Sequence, residues 1–204
     1  MVSKIPPKEC WISVDVEADG PCPGQYSLVS IGAVVVDDLE KTFYCEMQPE
    51  RKIYRTISKI ETWPDGDNIE EEEYYEDFTP YIPAALAVSG FTREQHCAMP
   101  YPLVGINDFR NWVKQVAGDR RPVFWSDNNG FDWQFVNYYF WKYKAVSDQK
   151  PNPFGHSSRR IADFAAGMKQ YDWKKLRKTS HTHNPVDDAK GNAEALLALL
   201  TMQK

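Results

Sequence analysis

The sequence predicts one mixed α/β domain, with a central sheet and helices on its faces. Two observations carry that expectation. Ahead of residue 50, apolar side chains fall at alternate positions or in β-branched runs, as in strands. After Pro83, apolar residues recur three and four apart, the period of helices, with one short apolar strand among them. A chain of 204 residues can build its own core, so residues 1–204 are expected to form a single domain.

Residues 10–17 open the sheet. Ile12, Val14 and Val16 point one way; Ser13, Asp15 and Glu17 point the other. Asp15 and Glu17 therefore share a face, about 7 Å apart along the strand. Residues 19–25 (DGPCPGQ) are a Pro/Gly loop. Leu28–Val36 and Thr42–Met47, linked by the turn-forming Asp37 and Asp38, complete an antiparallel meander. Residues 61–82 are acidic and polar, with a turn at Trp63-Pro64-Asp65-Gly66, and an exposed excursion is expected there.

Pro83–Ser89 and Thr92–Cys97 are expected to be short helices broken by Gly90. Val104–Ala117 is amphipathic: Val104, Phe109, Trp112, Val113 and Val116 lie near one stripe, and Gly118 stops the helix. Pro122–Trp125 is a short strand, Phe131–Lys144 an aromatic helix, 145–160 a loop, and Ile161–Lys178 a broken helical stretch. The last helix runs from about Pro185 to Met202, with Asn184 suited to its N-cap and Pro185 to its first turn. Val186, Ala189, Ala193, Leu196, Leu197 and Leu200 form its apolar stripe. That geometry leaves Asp187 toward solvent and turns Asp188 toward protein.

No apolar run reaches the roughly 18–20 residues of a membrane helix, and MVSKIPPKEC lacks the apolar stretch of a signal peptide. Cys10, Cys22, Cys45 and Cys97 form no CxxC pair, which excludes a zinc ribbon and suits free thiols in a reducing cytoplasm. The net charge of −5 is uneven. Nine acids and no base lie between Glu61 and Asp77; outside that segment, 24 bases face 20 acids. Residues 140–180 hold ten bases against three acids, either a solvated surface or a phosphate track. The 7 Trp, 11 Tyr and 10 Phe serve either as core or as stacking platforms, with Tyr26, Trp125, Phe131 and Phe154 the candidates for stacking.

Three apolar segments keep their acids: Asp15 and Glu17 in CWISVDVE, Asp132 in NNGFDWQF, and Asp188 with His183 in HNPVDDA. Carboxylates resist burial unless paired or bound to a metal. Four of them with one histidine suit two hard divalent cations and a general base. Taken singly, each motif has a plainer reading: solvated acids on a strand, or helix-dipole partners in a first turn.

Together the three motifs resemble those of the DEDDh family of 3′→5′ exonucleases, which includes RNase T, oligoribonuclease and polymerase proofreading subunits. DxE stands on the first strand, NxxxFD at a strand–helix junction, and a histidine five residues before an aspartate on a late helix. The resemblance runs from about residue 10 to 200, and SGFTREQ (Ser89–Gln95) is similar to a stretch such proteins carry before the middle helix. It implies a ribonuclease H-like fold, an antiparallel meander continued by parallel strands with helices on both faces. It also implies two cations, Mg²⁺ or Mn²⁺, held by Asp15, Glu17, Asp132 and Asp188, with His183 taking the proton of the attacking water. Substrate-binding positions would be Ala18, Asn128 and Phe131, and the products nucleoside 5′-monophosphates. The implied partners are single-stranded RNA or DNA 3′ ends, with RNA favoured for a small stand-alone chain, and a homodimer is an arrangement common in the family. Two features depart from the pattern: Pro185 stands two positions after the histidine where a small residue is usual, and the Glu17-to-Asp132 interval is long. Asp163 in RRIADF resembles an aspartate between the later motifs and reads as a structural hydrogen-bonding group. His181 could replace His183 as base in a shifted loop.

Two other classes compete. A binding module of this fold without turnover would tend to have lost a ligand, and here all five positions are filled. A phosphatase with an aspartyl nucleophile needs Asp-x-Asp on its first strand, where this chain has Glu17.

Overall fold

The computed structural model describes residues 5–62 and 68–202. Its main sheet has five strands: β1 (Glu9–Ala18), β2 (Leu28–Val35), β3 (Asp38–Glu46), β6 (Arg121–Ser126) and β7 (Ser158–Arg160). They lie in the order β3-β2-β1-β6-β7. The meander β1-β2-β3 is antiparallel, and β6 and β7 add in parallel beside β1. This is the mixed sheet of a ribonuclease H-like fold.

Helices cover both faces. The helices α3 (Pro102–Ala117) and α4 (Asn129–Lys142) pack on Ile12, Val14 and Val16 of β1. The opposite face, with Trp11, Val34, Val123 and Trp125, is covered by α5 (Ile161–Gly167) and α6 (Pro185–Met202). The alternation of β1 thus sends its apolar residues to one layer and its acids toward α6. The aromatic residues are largely core. Phe109 stacks on Phe140 at 5.5 Å and neighbours Phe43 and Phe154, and Trp11 meets Trp125 at 4.6 Å. Removing a ring such as Phe109 would cost roughly 3–5 kcal/mol.

Several boundaries differ from the sequence reading. The helix α3 starts at Pro102, so its buried stripe runs through Gly105, Ile106, Phe109, Arg110 and Val113, and Val104 is exposed. Arg110 enters that stripe because its guanidinium donates to the carbonyls of Pro151, Phe140 and Tyr143. In α6 the buried face includes Ala195 and Leu199, while Val186 and Leu197 are only partly covered. The 145–160 loop contains β7, a three-residue edge strand of Ser and Arg with no apolar pattern to announce it. The Ile161–Lys178 stretch is α5 followed by a single 3₁₀ turn at Trp173–Leu176. Asp163 is exposed and meets only Arg160, at 3.5 Å, so it ties no buried elements together.

The acidic 61–82 segment, expected as an excursion, is in part strand. It belongs to an antiparallel ribbon of its own, β4 (Arg51–Thr62) with β5 (Asn68–Phe78). The register places Lys52 opposite Asp77 and Lys59 opposite Glu71. Lys52 and Asp77 thus stand in a cross-strand arrangement that favours pairing. The expected turn at Trp63–Gly66 lies outside the described residues. Two short helices, α1 (Pro83–Val88) and α2 (Arg93–Cys97), follow, the second opened by a Thr92–Gln95 capping box. The ribbon's root is tied to the core by buried Glu50. Its carboxylate takes Lys142 at 2.9 Å and the hydroxyl of Tyr143 at 3.3 Å.

Candidate active site

One strand and the starts of two helices meet at the carboxyl end of β1. Asp15 pairs across the sheet with Gly32 of β2, and Glu17 with Ser30. The first turn of α6 lies directly on this spot. A Cβ at Gly32 would stand 2.1 Å from the Pro185 carbonyl carbon, so only glycine admits the helix at that depth. That close approach carries Asp188 to Asp15 and Glu17, and oxygens of the three carboxylates lie within 4.8 Å of one another.

Asn184 caps α6 through its side-chain oxygen, which accepts from the backbone N–H groups of Val186 and Asp187 at 3.0 and 3.4 Å. Asp188 is 1% exposed. Asp187 is half-buried and takes the Thr182 hydroxyl.

From the other layer, α4 begins just past β6 and turns Asp132 inward, 2% exposed. Asn128 sits at its N-cap position, and its carbonyl accepts the Asp132 N–H at 3.0 Å. One oxygen of Asp132, Oδ2, is buried with no hydrogen-bond partner. Phe131 is half-buried, 5.1 Å from Phe135, and Asn128 is exposed. Ala18 is buried at the end of β1. Of the stacking candidates, Trp125 and Phe154 are core rings with no free face, while Tyr26 is half-buried and lies over Gly20.

The electrostatics of this cluster are strained. Burial pushes the Asp132 carboxyl up to about 8, against the hydrogen bonds of Ser126 and the Val16 backbone, and Asp127 and Glu17 push the same way. Burial and Asp188 raise Glu17 to about 7. Asp15 is raised well above the ordinary carboxylate range, first by burial and then by Asp132, Asp188 and Glu17. The cation that opposes this is Arg177. It stands over the Trp173 ring at 5.3 Å, donates to Asn192 and reaches Asp127 at 3.5 Å. Asp15, Glu17 and Asp132, raised in this way, hold protons or share a cation. The orphaned Asp132 oxygen and the all-oxygen donor set fit a hard divalent ion.

The histidines sit above this floor on an exposed loop. Asp188 fixes the loop by accepting the backbone N–H groups of Thr182 and His183 at 3.2 and 3.1 Å. His183 has a φ of 60°, a left-handed conformation unusual for a side chain of its size. Its Nδ1 lies 3.9 Å from Glu17 Oε1. His181 Nδ1 lies 2.7 Å from Asp188 Oδ1. His96 is buried near Asp19 and His156 is exposed in a loop, both in other parts of the fold. A cleft of about 220 Å³ opens beside His183, lined by Tyr44, Ser89, Gly90, Phe91, Thr182 and Asn184 among others. SGFTREQ therefore contributes its first residues to a wall of the site.

Among the bases of 140–180, Lys142 pairs with Glu50, Arg159 with Glu9, and Lys174 and Arg177 with Asp127, so these four meet acids of the chain itself. Sequence reading did not single out Arg177, because its partners lie far along the chain. The only signal was the basic run Lys174–Lys178 just ahead of His183.

No protein-family model matches the chain. A curated relative, the 3′-5′ DNA exonuclease Cap18 of Escherichia coli, is 33% identical over 199 residues, covering 92% of this chain and 89% of its own. Among solved structures, the zinc-bound form of E. coli exonuclease I with single-stranded DNA matches 96% of this chain with a TM-score of 0.59 at 15% identity. The chain spans 41% of that protein's length. A 3′-exonuclease that recognises the histone mRNA stem-loop matches with a TM-score of 0.60 at 11% identity, covering 96% of this chain and 82% of its own. At such identities the structural likeness concerns the fold. With the sequence relative beside it, the chain belongs to the DEDDh family of 3′→5′ exonucleases.

Proposed function

We propose that residues 1–204 act as one exonuclease domain that shortens single-stranded DNA from its 3′ end, releasing nucleoside 5′-monophosphates. The observation that carries this reading is the meeting of Asp15, Glu17 and Asp188 beneath an exposed His183, with buried Asp132 near enough to raise Asp15. The relative named a DNA exonuclease favours DNA over the RNA expected from chain size.

Asp15, Glu17, Asp132 and Asp188 would hold two divalent cations, Mg²⁺ or Mn²⁺. Bound there, such ions offset the charge that develops on the phosphate and lower the pKa of a water. His183, at the solvent edge of the floor, accepts the proton of the attacking water. Asp188 has a second duty, since its carboxylate latches the loop that presents that imidazole. Arg177 offsets the carboxylate charge while the site is being filled. The cleft between Phe91 and His183 is the proposed seat of the 3′-terminal nucleotide, and Phe131, Asn128 and the Ala18 main chain are proposed as further substrate contacts.

Matched 5′-labelled DNA and RNA oligonucleotides, incubated with Mg²⁺ or Mn²⁺ and separately with EDTA, test this reading. A 3′-shortening ladder on DNA that EDTA abolishes is the expected result. Faster loss of RNA would move the substrate to RNA. No shortening of either, with binding retained, would favour the silent module.

A further inference from the structure

The loop above the carboxylates brings a second donor set together, one that overlaps the proposed reaction at His183 and Asp188 and adds His181. His181, His183 and Asp188 each offer a ligand atom, and these atoms lie within 4.8 Å of one another. The two imidazole rings meet at 4.4 Å between centroids, with planes 65° apart. Both histidines are exposed, so their rings can close by the ångström or so that a common ion requires, while Asp188 is anchored on α6. The two donor sets differ in kind. Asp15, Glu17 and Asp188 present oxygen alone, which suits Mg²⁺. Two nitrogens and one oxygen suit a borderline-soft ion, with bonds near 2.0–2.2 Å and an open fourth position for water.

We propose that His181, His183 and Asp188 form a Zn²⁺ site that switches the exonuclease off. An ion held there occupies the imidazole lone pair that must accept the proton, and takes an Asp188 oxygen away from the carboxylate floor. His181 is the residue that distinguishes this site, because it is the one donor of the three outside the carboxylate floor and the proposed proton transfer. The inference rests on the reading of His183 as base only for its effect on activity; the metal site itself stands on the donor geometry.

The test uses the full chain with saturating Mg²⁺, comparing wild type with His181→Ala. Zn²⁺ binding is measured by calorimetry, and Co²⁺, a spectroscopic substitute, by its visible absorption. Wild type is expected to bind one Zn²⁺ equivalent beyond the Mg²⁺ load, and His181→Ala to bind it about tenfold more weakly or worse. With inhibition read relative to each protein's own cleavage rate in Mg²⁺ alone, the zinc concentration for half-inhibition is expected to rise in the variant by the same factor as the binding constant. Equal Zn²⁺ binding by the two proteins overturns the site. Weaker binding with unchanged zinc inhibition overturns the switch. Should wild type cleave nothing in Mg²⁺ or Mn²⁺, the functional reading fails while the calorimetry still decides the metal site.

Discussion

The carboxylate floor and the histidine loop lie within hydrogen-bonding distance of each other yet are built in opposite ways. Strand β1 and the first turns of α4 and α6 supply the floor, which is buried among packed elements and electrostatically unsatisfied. The loop at 181–184 is exposed and is held by backbone hydrogen bonds to one side chain, Asp188. The difference teaches where folding free energy goes at such a site. The core forces like charges together, and only protons or cations complete the floor. The loop costs the core little and can move its rings.

Substitutions at the floor should therefore act through charge and metal, and those at the loop through chemistry alone. Asp188 belongs to both, so Asp188→Asn is expected to abolish cleavage and to loosen the loop, read as increased backbone amide exchange at Thr182 and His183. His183→Ala should lower the cleavage rate by about 10²–10⁴-fold while leaving Mn²⁺ affinity and thermal stability unchanged. A matching loss of Mn²⁺ affinity would mean that the two regions are not separable. Gly32→Ala tests the contact that joins them. Its methyl group must displace the start of α6, with an expected loss of about 1–3 kcal/mol in chemical denaturation and a fall in activity that added metal does not restore.

A separate effect is on pH dependence. Asp132 and Glu17 keep their protons up to about 8 and about 7 when folded, whereas unfolded carboxyls release them near 4. Between those values the folded state binds more protons than the unfolded state. Metal-free stability should then fall as pH rises from about 4 to about 8. Asp132→Asn should flatten that fall, and melting curves across the range would measure it.

How much of this was legible in the sequence follows the same division. Alternation in residues 10–17 announced β1 and set Asp15 and Glu17 on one face, and Asn184-Pro185 announced the start of α6. Those signals are local, carried by side-chain period and helix capping. The edge strand β7 was not legible, because Ser158, Arg159 and Arg160 extend only through pairing with Phe124, Trp125 and Ser126. The pairing of β4 with β5 was not legible, because the acidic run carries no apolar alternation and the strand shows only through its register with the preceding one. Arg177 was invisible for a similar reason: Asp127 and Asn192 reach it only through the fold. Nor does any local pattern reveal that Gly32 must admit a helix.

A Mn²⁺ titration of the full chain at pH 8, followed by calorimetry and by melting temperature, bears most directly on the carboxylate floor. Two Mn²⁺ bound per chain with a marked rise in melting temperature, both lost in Asp132→Asn, is the predicted result. A wild-type protein that binds no Mn²⁺ and melts at the same temperature with or without it would contradict the account.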